Sequence, residues 1–286
     1  MDKLYTALVT VRHHELDCFG RVHPSTYLRF LAQTAVEAST AAGYDADWYA
    51  AAGCLWLVRR STFDLLRPAR AEEPLEIRTW VEDFRRVRSH RCYEVRVHGE
   101  TLLRARTDWV YVDTATGRPR RIPAEIEEGL GMAGAPAAER EPWQSPPPPA
   151  NPARSVHRVR VSDLDGLAHM NNAAYLDVLV QAVFDALDDV GWSLDACIGS
   201  GAVPVLAGAD VEYLESARYR EQLDVATWFT PTADGLEAHQ TIARDGGARP
   251  LLRATTRWCW MRGPSDERAD APPALLAALR PLLAAA

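Results

Sequence analysis

The sequence predicts an α+β fold that occurs twice along the chain, each copy being an antiparallel sheet wrapped around one central helix. Three observations support this prediction. The chain has 286 residues, a length suited to two domains of ordinary size. Blocks of similar sequence recur at a nearly constant spacing. Each copy also contains one broadly apolar helix, followed by segments that alternate apolar and polar residues.

The internal repeat is clearest in two blocks that begin at Glu15 and Asp163. Five residues of the first block recur 148 positions later: Asp17, Tyr27, Leu28, Leu31 and Gln33 match Asp165, Tyr175, Leu176, Leu179 and Gln181. A block from Arg67 matches one from Glu215 at the same spacing, and a third pair, from Leu102 and Leu251, lies one residue further apart. Three blocks in the same order indicate a duplicated domain.

The two copies are predicted to be joined by a connector. Residues 133–152 are rich in Ala and Pro and contain few core-forming side chains, which favours an extended segment. We therefore expect an N-terminal domain at 1–132 and a C-terminal domain at 153–286. The Leu- and Ala-rich residues 274–286 predict a helix that is interrupted at Pro281.

The central helix of each copy has recognisable ends. Pro24 suits the first helical position of the first copy, and Gly43 suits the position just past its end. In the second copy Asn171 or Asn172 can cap the start, and Gly191 can end the helix. Apolar residues lie around most of each helix, which predicts that both helices are enclosed.

Strands are predicted before and after each helix. The segments that alternate apolar and polar side chains have the period of half-buried strands. The predicted strands of the first copy are Ala7–His13, Cys54–Leu65, Leu75–Val81, Arg88–His98 and Leu102–Val112. Those of the second copy are His157–Val161, Val203–Tyr213, Leu223–Phe229, Leu236–Arg244 and Leu251–Met261.

Composition excludes several classes of protein. The formal net charge is −7, which disfavours a general nucleic-acid or anionic-membrane binder. No apolar run reaches the length of a membrane span, and the first residues do not resemble a secretory signal. The five cysteines are odd in number and form no CxxC pair, so we expect reduced thiols in a cytoplasmic protein and no metal site.

A motif at the start of the second helix resembles a known family. The segment Asp163–Tyr175, DLDGLAHMNNAAY, resembles the signature of hotdog-fold thioesterases of the 4-hydroxybenzoyl-CoA thioesterase type, which has an Asp, a His-Val-Asn-Asn stretch and a Tyr ten residues after the Asp. Two such domains in one chain also resemble acyl-ACP thioesterases. The resemblance implies a tandem double hotdog that forms an intrachain pseudo-dimer, and it leaves further association into a homo-oligomer open. It also implies hydrolysis of an acyl-ACP or acyl-CoA thioester, without a metal or bound cofactor.

The resemblance assigns roles to four residues. Thioester hydrolysis needs a nucleophile or a base, together with donors for the developing oxyanion, and a helix N-terminus can supply such donors. Asp165 would attack the carbonyl or activate water, and His169 would orient or bind the thioester. The backbone amides of residues 172–174, around Asn172, would hold the oxygen. Asp17 takes the corresponding position in the first copy.

Four positions depart from the family pattern, namely Arg21, Pro24, Leu167 and Ser216. Leu167 stands where acyl-ACP thioesterases have Asn, and Ser216, next to Glu215, stands where they have a catalytic Glu. In the first copy Arg21 replaces His169, and Pro24 has no N–H to donate. A second active site at Asp17 is therefore weakened.

Eight further residues are candidates for substrate binding: Tyr27, Gln33, Arg85, Arg86, Arg88, Asn171, Tyr175 and Gln181. The two glutamines either make interior hydrogen bonds or line the acyl cleft. Asn171 either caps the helix or touches substrate. The segment FRRVRSHR contains the three arginines and also Arg91; it could bind CoA phosphates or the acidic face of a carrier protein, or be a solvated loop.

Two other functions are left open by the residues. The departures from the family pattern are compatible with a non-catalytic acyl-binding module, in which Asp165 only forms a turn. A hotdog hydratase or dehydratase is a third interpretation, although the His and acidic partner that such enzymes use in another helix context are not found in this sequence.

Overall fold

A computed structural model describes residues 3–133, 142–247, 249–263 and 266–285. It divides the chain into two compact units, Met1–Glu141 and Pro142–Ala286. Each unit combines one antiparallel sheet with a long central helix, so the predicted α+β class is confirmed. Among the described helices, none has both the length and the apolarity needed to cross a bilayer.

The described residues of the N-terminal unit form five strands and three α-helices. Its strands are β1 (Tyr5–Thr10), β2 (Cys54–Leu65), β3 (Pro74–Arg85), β4 (Arg88–Val97) and β5 (Glu100–Asp113). Its helices are α1 (Pro24–Ala41), α2 (Ala46–Ala52) and α3 (Ala124–Leu130). The strand order is β1-β3-β4-β5-β2, with every neighbouring pair antiparallel.

The C-terminal unit repeats this plan. Its strands are β6 (Ala153–Arg158), β7 (Ala202–Tyr213), β8 (Gln222–Thr232), β9 (Gly235–Arg244), β10 (Pro250–Arg262) and β11 (Glu267–Ala269). Its helices are α4 (Asn172–Asp189), α5 (Leu194–Gly199) and α6 (Pro273–Ala278). The order is β7-β10-β9-β8-β6, and the short β11 pairs with the end of β10.

The predicted alternation explains which face of each sheet is buried. In β3 the buried residues include Leu75, Ile77 and Val81, and their counterparts in β8 are also buried. The central helices differ, however. α4 buries eleven of its 18 residues, all apolar or Tyr, whereas α1 buries seven, three of them Ser or Thr. On α1, Val36 remains 58% exposed, so the prediction that both helices are enclosed holds less well for the first copy.

The helix ends agree with their sequence signals. α1 begins at Pro24, and α4 is capped by Asn171. Gly43 and Gly191 follow the helix ends with φ of 92° and 83°. These positive φ values are the conformations in which glycine has no steric penalty.

Several boundaries differ from the sequence predictions. β1 and β6 begin and end earlier than Ala7–His13 and His157–Val161. The chain end forms only the short α6 and a 3-10 turn at Arg280–Leu282, because Pro281 cannot continue an α-helix. The short helices α2, α3 and α5 were not predicted from the sequence.

The predicted connector is not free along its whole length. Residues 134–141 lie outside the described residues, but the following part packs on the C-terminal unit. The ring of Trp143 lies under the Arg253 guanidinium at 5.5 Å. The Trp228 indole N–H donates to the Pro146 carbonyl at 3.1 Å. The boundary between the units accordingly falls after Glu141.

Candidate active site

The turn before α4 is built around Asp165. Its backbone N–H donates to the His169 carbonyl at 2.9 Å, and its carbonyl accepts from the Ala168 N–H at 3.0 Å. The side-chain Oδ1 accepts the N–H groups of Leu167 at 2.9 Å and His169 at 3.4 Å. One carboxylate oxygen therefore holds the turn, while Oδ2 accepts no hydrogen bond from the described residues.

Fewer amides are available at the start of α4 than the sequence predicts. The Asn171 side chain accepts the Ala173 N–H at 2.9 Å, which confirms the capping interpretation. The Asn171 carbonyl accepts the Ala174 N–H at 2.9 Å. The cap thus satisfies two of the three predicted oxyanion donors. Of these three amides, only the Asn172 N–H has no acceptor among the described residues.

His169 lies on the same turn and is half-buried. Its backbone closes the turn with Asp165, whereas its imidazole forms no hydrogen bond with another described side chain. The structure therefore brings Asp165 and His169 together through their backbones. The imidazole is left available to a ligand.

Sequence reasoning missed a contact between β6 and this turn. The Asp163 carboxylate lies 2.8 Å from His157 Nε2, and the same oxygen accepts the Arg160 N–H at 2.8 Å. The Asp163 carbonyl accepts the Asn171 N–H at 2.8 Å. Asp163, the first acid of the quoted motif, therefore anchors the strand and the helix start to one another. The motif contains Asp163, but its partner His157 could be identified only once the position of β6 was known.

The hydroxyls of the two repeated tyrosines make structural hydrogen bonds, and the contact of these residues with substrate stays a prediction. The hydroxyl of Tyr175 accepts the Ala217 N–H at 2.7 Å, and that of Tyr27 accepts the Ala69 N–H at the same distance. Both side chains are buried. Burial raises the pKa of Tyr175 to about 12. Each tyrosine fixes its helix to the loop before the third strand of its unit.

The repeated glutamines do not make the predicted interior hydrogen bonds, whereas their place in an acyl cleft stays a prediction. Gln33 and Gln181 are exposed, and each donates to an acid one helical turn later. The bond to Glu37 is 3.0 Å long and the bond to Asp185 is 2.7 Å. Such i,i+4 pairs belong to the solvent-facing side of a helix. Neither glutamine makes an interior bond.

The first copy retains the aspartate turn. Asp17 Oδ1 accepts the N–H groups of Phe19 at 2.9 Å and Arg21 at 3.0 Å. Arg21 is buried where the second copy has the half-buried His169. At the helix start Pro24 has no N–H, and the Thr26 N–H donates to a backbone carbonyl, that of His23. The first copy therefore has the acid, but it has Arg21 in place of His169 and His23 in place of the Asn171 cap.

Ser216 stands where the resemblance to acyl-ACP thioesterases places a catalytic glutamate. Ser216 provides only its carbonyl, which accepts from Arg244 at 3.1 Å. Glu215, its neighbour, pairs with the same guanidinium at 2.8 Å, and Glu221 does so at 3.1 Å. Glu215 is thus held in an ion-pair network on a surface loop, where it stabilises the loop.

The predicted basic segment forms part of a larger surface cluster. Arg85, Arg86 and Arg88 lie at the β3–β4 turn. The segment 118–122 runs beside this turn, because the Ile122 N–H donates to the Arg86 carbonyl at 2.8 Å. It adds three exposed residues, so the basic cluster consists of Arg85, Arg86, Arg88, Arg118, Arg120 and Arg121. Arg85 pairs with Asp83 at 2.8 Å. Arg91, from the same predicted segment, is buried and lies apart from the cluster.

Comparisons with known families agree with this architecture. Residues 2–130 match the family described as the acyl-ACP thioesterase N-terminal domain, and residues 159–279 match the thioesterase-like superfamily. The resemblance stated from the motif is confirmed.

Two plant proteins are similar along most of the chain. The chloroplastic acyl-[acyl-carrier-protein] hydrolase of Cuphea viscosissima is 22% identical over 267 residues, covering 87% of this chain and 61% of that protein. The chloroplastic palmitoyl-acyl carrier protein thioesterase of Arabidopsis thaliana is 24% identical over 281 residues, covering 87% and 62%. This chain therefore spans less than two thirds of the length of these relatives.

Solved structures show the same fold. An acyl-ACP thioesterase from Bacteroides thetaiotaomicron superposes with a TM-score of 0.73 at 16% identity, covering 90% of this chain and 98% of that one. The 12:0-ACP thioesterase from Umbellularia californica superposes with a TM-score of 0.73 at 18% identity, covering 91% of this chain and 98% of that one. The predicted tandem double hotdog is thereby confirmed.

Proposed function

We propose that this tandem of two hotdog domains hydrolyses an acyl-ACP thioester to a free acid and a thiol. Its first domain matches the acyl-ACP thioesterase N-terminal domain, and its second matches the thioesterase-like superfamily. One observation carries the assignment. The turn that leads into α4 presents an Asp165 carboxylate oxygen and the Asn172 N–H, neither of which is bonded to a described residue.

The two groups have complementary roles. As a base, Asp165 takes a proton from water, whose oxygen attacks the thioester carbon while the Asn172 N–H donates to the developing oxyanion. The C–S bond then breaks, and the thiolate leaves with the proton. As a nucleophile, Asp165 instead forms a mixed anhydride and releases the thiol, and water then hydrolyses the anhydride. His169 lies on the same turn, where its imidazole can orient the thioester.

The deciding experiment compares two substitutions of Asp165. Asp165→Asn keeps an Oδ1 that can accept the Leu167 and His169 N–H groups, but it removes the charge. Asp165→Ala removes both. If the carboxylate acts chemically, Asn lowers kcat on the order of 10²–10⁴-fold at an unchanged melting temperature. Near-normal turnover by the Asn variant would defeat the assignment, because the turn alone would then account for Asp165.

Asp17→Asn is the matched control in the first copy. The same turn geometry is kept, since Asp17 Oδ1 also accepts two backbone N–H groups. Because Arg21 replaces His169 and His23 stands where the second copy has the Asn171 cap, we expect Asp17→Asn to retain most of the activity. A loss equal to that of Asp165→Asn would instead place a second active site in the first copy.

The preference for a carrier protein over CoA is proposed from the basic cluster. Six arginines at one end of the N-terminal unit suit the acidic surface of a carrier protein better than the few phosphates of CoA. Reversing two exposed charges, Arg118→Glu with Arg121→Glu, should raise KM for acyl-ACP about tenfold and leave kcat unchanged. With the acyl-CoA of the same chain, KM should change little. Equal effects on both substrates would assign the cluster to the CoA phosphates.

A second candidate function is a non-catalytic acyl-binding module. It is favoured by one observation, namely that Asp165 Oδ1 performs the same turn-forming role as Asp17 Oδ1. This candidate predicts saturable binding of an acyl ligand without thiol release. Release of thiol in a trapping assay would exclude it.

The remaining circumstances are proposed from the same chemistry. Water and a carboxylate suffice for hydrolysis, so we propose that the reaction needs neither a metal nor a bound cofactor; activity that survives exhaustive dialysis against EDTA would agree. All five cysteines are thiols, in keeping with the proposed cytoplasmic location. We propose that the protein binds neither nucleic acid nor membranes. Whether the chain associates into a homo-oligomer is a separate question, which light scattering would answer.

A further inference from the structure

The start of α4 is held from two sides by side chains of neighbouring strands. His157 of β6 acts on it through Asp163, and Tyr213 at the end of β7 contacts it directly. Both contacts lie next to the Asn172 N–H, the proposed donor to the oxyanion. The direction of that N–H therefore depends on residues outside the turn itself.

The first contact runs from β6 through Asp163. His157 Nε2 lies 2.8 Å from Asp163 Oδ2. Because an ionised carboxylate can only accept hydrogen bonds, Nε2 carries the proton and donates it. The two side chains are 19% and 16% exposed, so water competes little for this bond. The Asp163 carbonyl in turn accepts the Asn171 N–H at 2.8 Å, which fixes the chain one residue before the proposed donor.

The second contact comes from the end of β7. The Tyr213 hydroxyl donates to the Asn172 carbonyl at 3.3 Å. Tyr213 is 8% exposed, and its ring makes an edge contact with the Tyr175 ring, whose centroid lies 5.9 Å away. Tyr175 is itself fixed, because its hydroxyl accepts the Ala217 N–H at 2.7 Å. The Tyr213 hydroxyl is thereby held beside the first turn of α4.

The two contacts act on successive peptide groups. One holds the chain at the Asn171 N–H, and the other holds the Asn172 carbonyl. Together they restrict rotation of the backbone at Asn172. Such restriction matters for catalysis, because a backbone donor stabilises an oxyanion only when it already points to the place where the charge develops.

The first copy forms the same turn. The Glu15 carboxylate accepts the Arg12 N–H at 2.7 Å, as the Asp163 carboxylate accepts the Arg160 N–H. The Glu15 carbonyl accepts the His23 N–H at 2.9 Å, which corresponds to the bond between Asp163 and Asn171. The fold of the turn is therefore the same in both copies.

Apolar residues replace both positioning side chains in the first copy. The strand registers place Val9 where the second copy has His157, and Leu65 where it has Tyr213. The first helical residue there is Pro24, which has no N–H to direct. The polar pair thus accompanies a helix start that has a donor, and the apolar pair accompanies one that has none. Because the turn also forms with Val9 and Leu65, folding of the turn alone does not explain the polar pair.

We propose that His157 and Tyr213 are positioning residues, which hold the Asn172 N–H in the direction of the developing oxyanion. The catalytic consequence rests on the proposed hydrolysis. The order of the Asn172 amide, in contrast, does not depend on turnover and can be measured separately.

Kinetics of three full-chain variants test the catalytic consequence. His157→Val installs the residue of the first copy, and Tyr213→Phe removes only the hydroxyl. We expect each to lower kcat for acyl-ACP about tenfold at an unchanged KM, which is less than the loss of about 10²–10³-fold on removal of an oxyanion donor. His157→Gln should retain most of kcat, because its amide N–H can still donate to Asp163.

Ser200→Ala is the matched control. The Ser200 hydroxyl also donates to a backbone carbonyl of the C-terminal unit, that of Cys197, at 2.8 Å. Ser200 precedes β7 and Tyr213 ends it, so the two residues are roughly 35 Å apart along the strand. This variant should therefore keep both kcat and the order of the Asn172 amide.

Backbone relaxation measured by NMR reports the order of the Asn172 amide without any substrate. We expect an order parameter of about 0.85 in the unmodified chain and in Ser200→Ala, and a value that falls towards about 0.6 in His157→Val and Tyr213→Phe. An unchanged order parameter in both of these variants would overturn the inference.

The kinetic outcomes separate the two proposals. A raised KM at constant kcat would assign His157 and Tyr213 to substrate binding, and an equal loss of kcat in Ser200→Ala would reduce their effect to general destabilisation; either result would overturn the positioning role. If the unmodified chain released no thiol, the proposed hydrolysis would fail, whereas loss of order at Asn172 in the variants would still support the positioning role.

Discussion

Replacement of Tyr175 by Phe tests the structural assignment of the repeated tyrosines. The hydroxyl of Tyr175 accepts the Ala217 N–H at 2.7 Å, and both residues are buried. Tyr175→Phe keeps the ring and its edge contact with Tyr213, whose centroid lies 5.9 Å away, but leaves a buried N–H without an acceptor. Such an unsatisfied donor costs about 1–3 kcal/mol. We therefore expect the free energy of unfolding of the C-terminal unit to fall by about that amount.

The assay is urea unfolding followed by tryptophan fluorescence, with the change read from the midpoint at a constant slope. Tyr27→Phe is the matched variant of the first copy, because its hydroxyl accepts the Ala69 N–H with the same length. Turnover at low denaturant should be nearly unchanged in both variants. The reasoning would be refuted by Tyr175→Phe with full stability and a raised KM, since that pattern belongs to a residue that binds substrate.

Two further predictions concern strain and pH. Ala168 adopts a φ of 56° in the turn after Asp165, and the first copy has Gly20 at this position with a φ of 74°. Because a left-handed conformation strains alanine, Ala168→Gly should raise the free energy of unfolding by up to about 1 kcal/mol. An unchanged or lower urea midpoint would show that Ala168 is not strained. Burial lowers the pKa of His239 from its ordinary 6.5, an effect that Glu237 opposes. His239 therefore binds a proton more weakly in the folded chain than in the unfolded chain, so the free energy of unfolding should fall as the pH drops below 6.5. His239→Gln should reduce this slope in unfolding curves measured between about pH 7 and 5, and an identical slope would show that other groups cause it.

Much of the fold could be predicted because the chain carries its pattern twice. The alternation in Leu75–Val81 and the punctuation by Pro24 and Gly43 are local signals, and the structure confirms them. The short helices depend on tertiary packing. For example, the buried face of α3 consists of only Ile126 and Leu130, too few residues to form a helical period.

The site was less accessible to sequence reasoning. The motif located Asp165 and the cap Asn171, but it did not show which backbone N–H groups Asn171 would accept. Tyr175 and Gln181 recur with the duplication, and recurrence alone could not distinguish a structural bond from contact with substrate. Arg118 lies near the other arginines because the segment 118–122 pairs with strands that are distant in sequence. This pairing could not be recognised from the sequence around either segment.

The most direct test of the proposed hydrolysis is thiol release by the unmodified full chain. Acyl-ACP and acyl-CoA thioesters with the same set of chains would be incubated with the protein, and the free thiol and free acid would be measured together. We expect the two products in equal amounts, with kcat/KM higher for the carrier-protein thioesters. Saturable binding of these thioesters with no thiol above the uncatalysed rate would contradict the account and leave an acyl-binding protein.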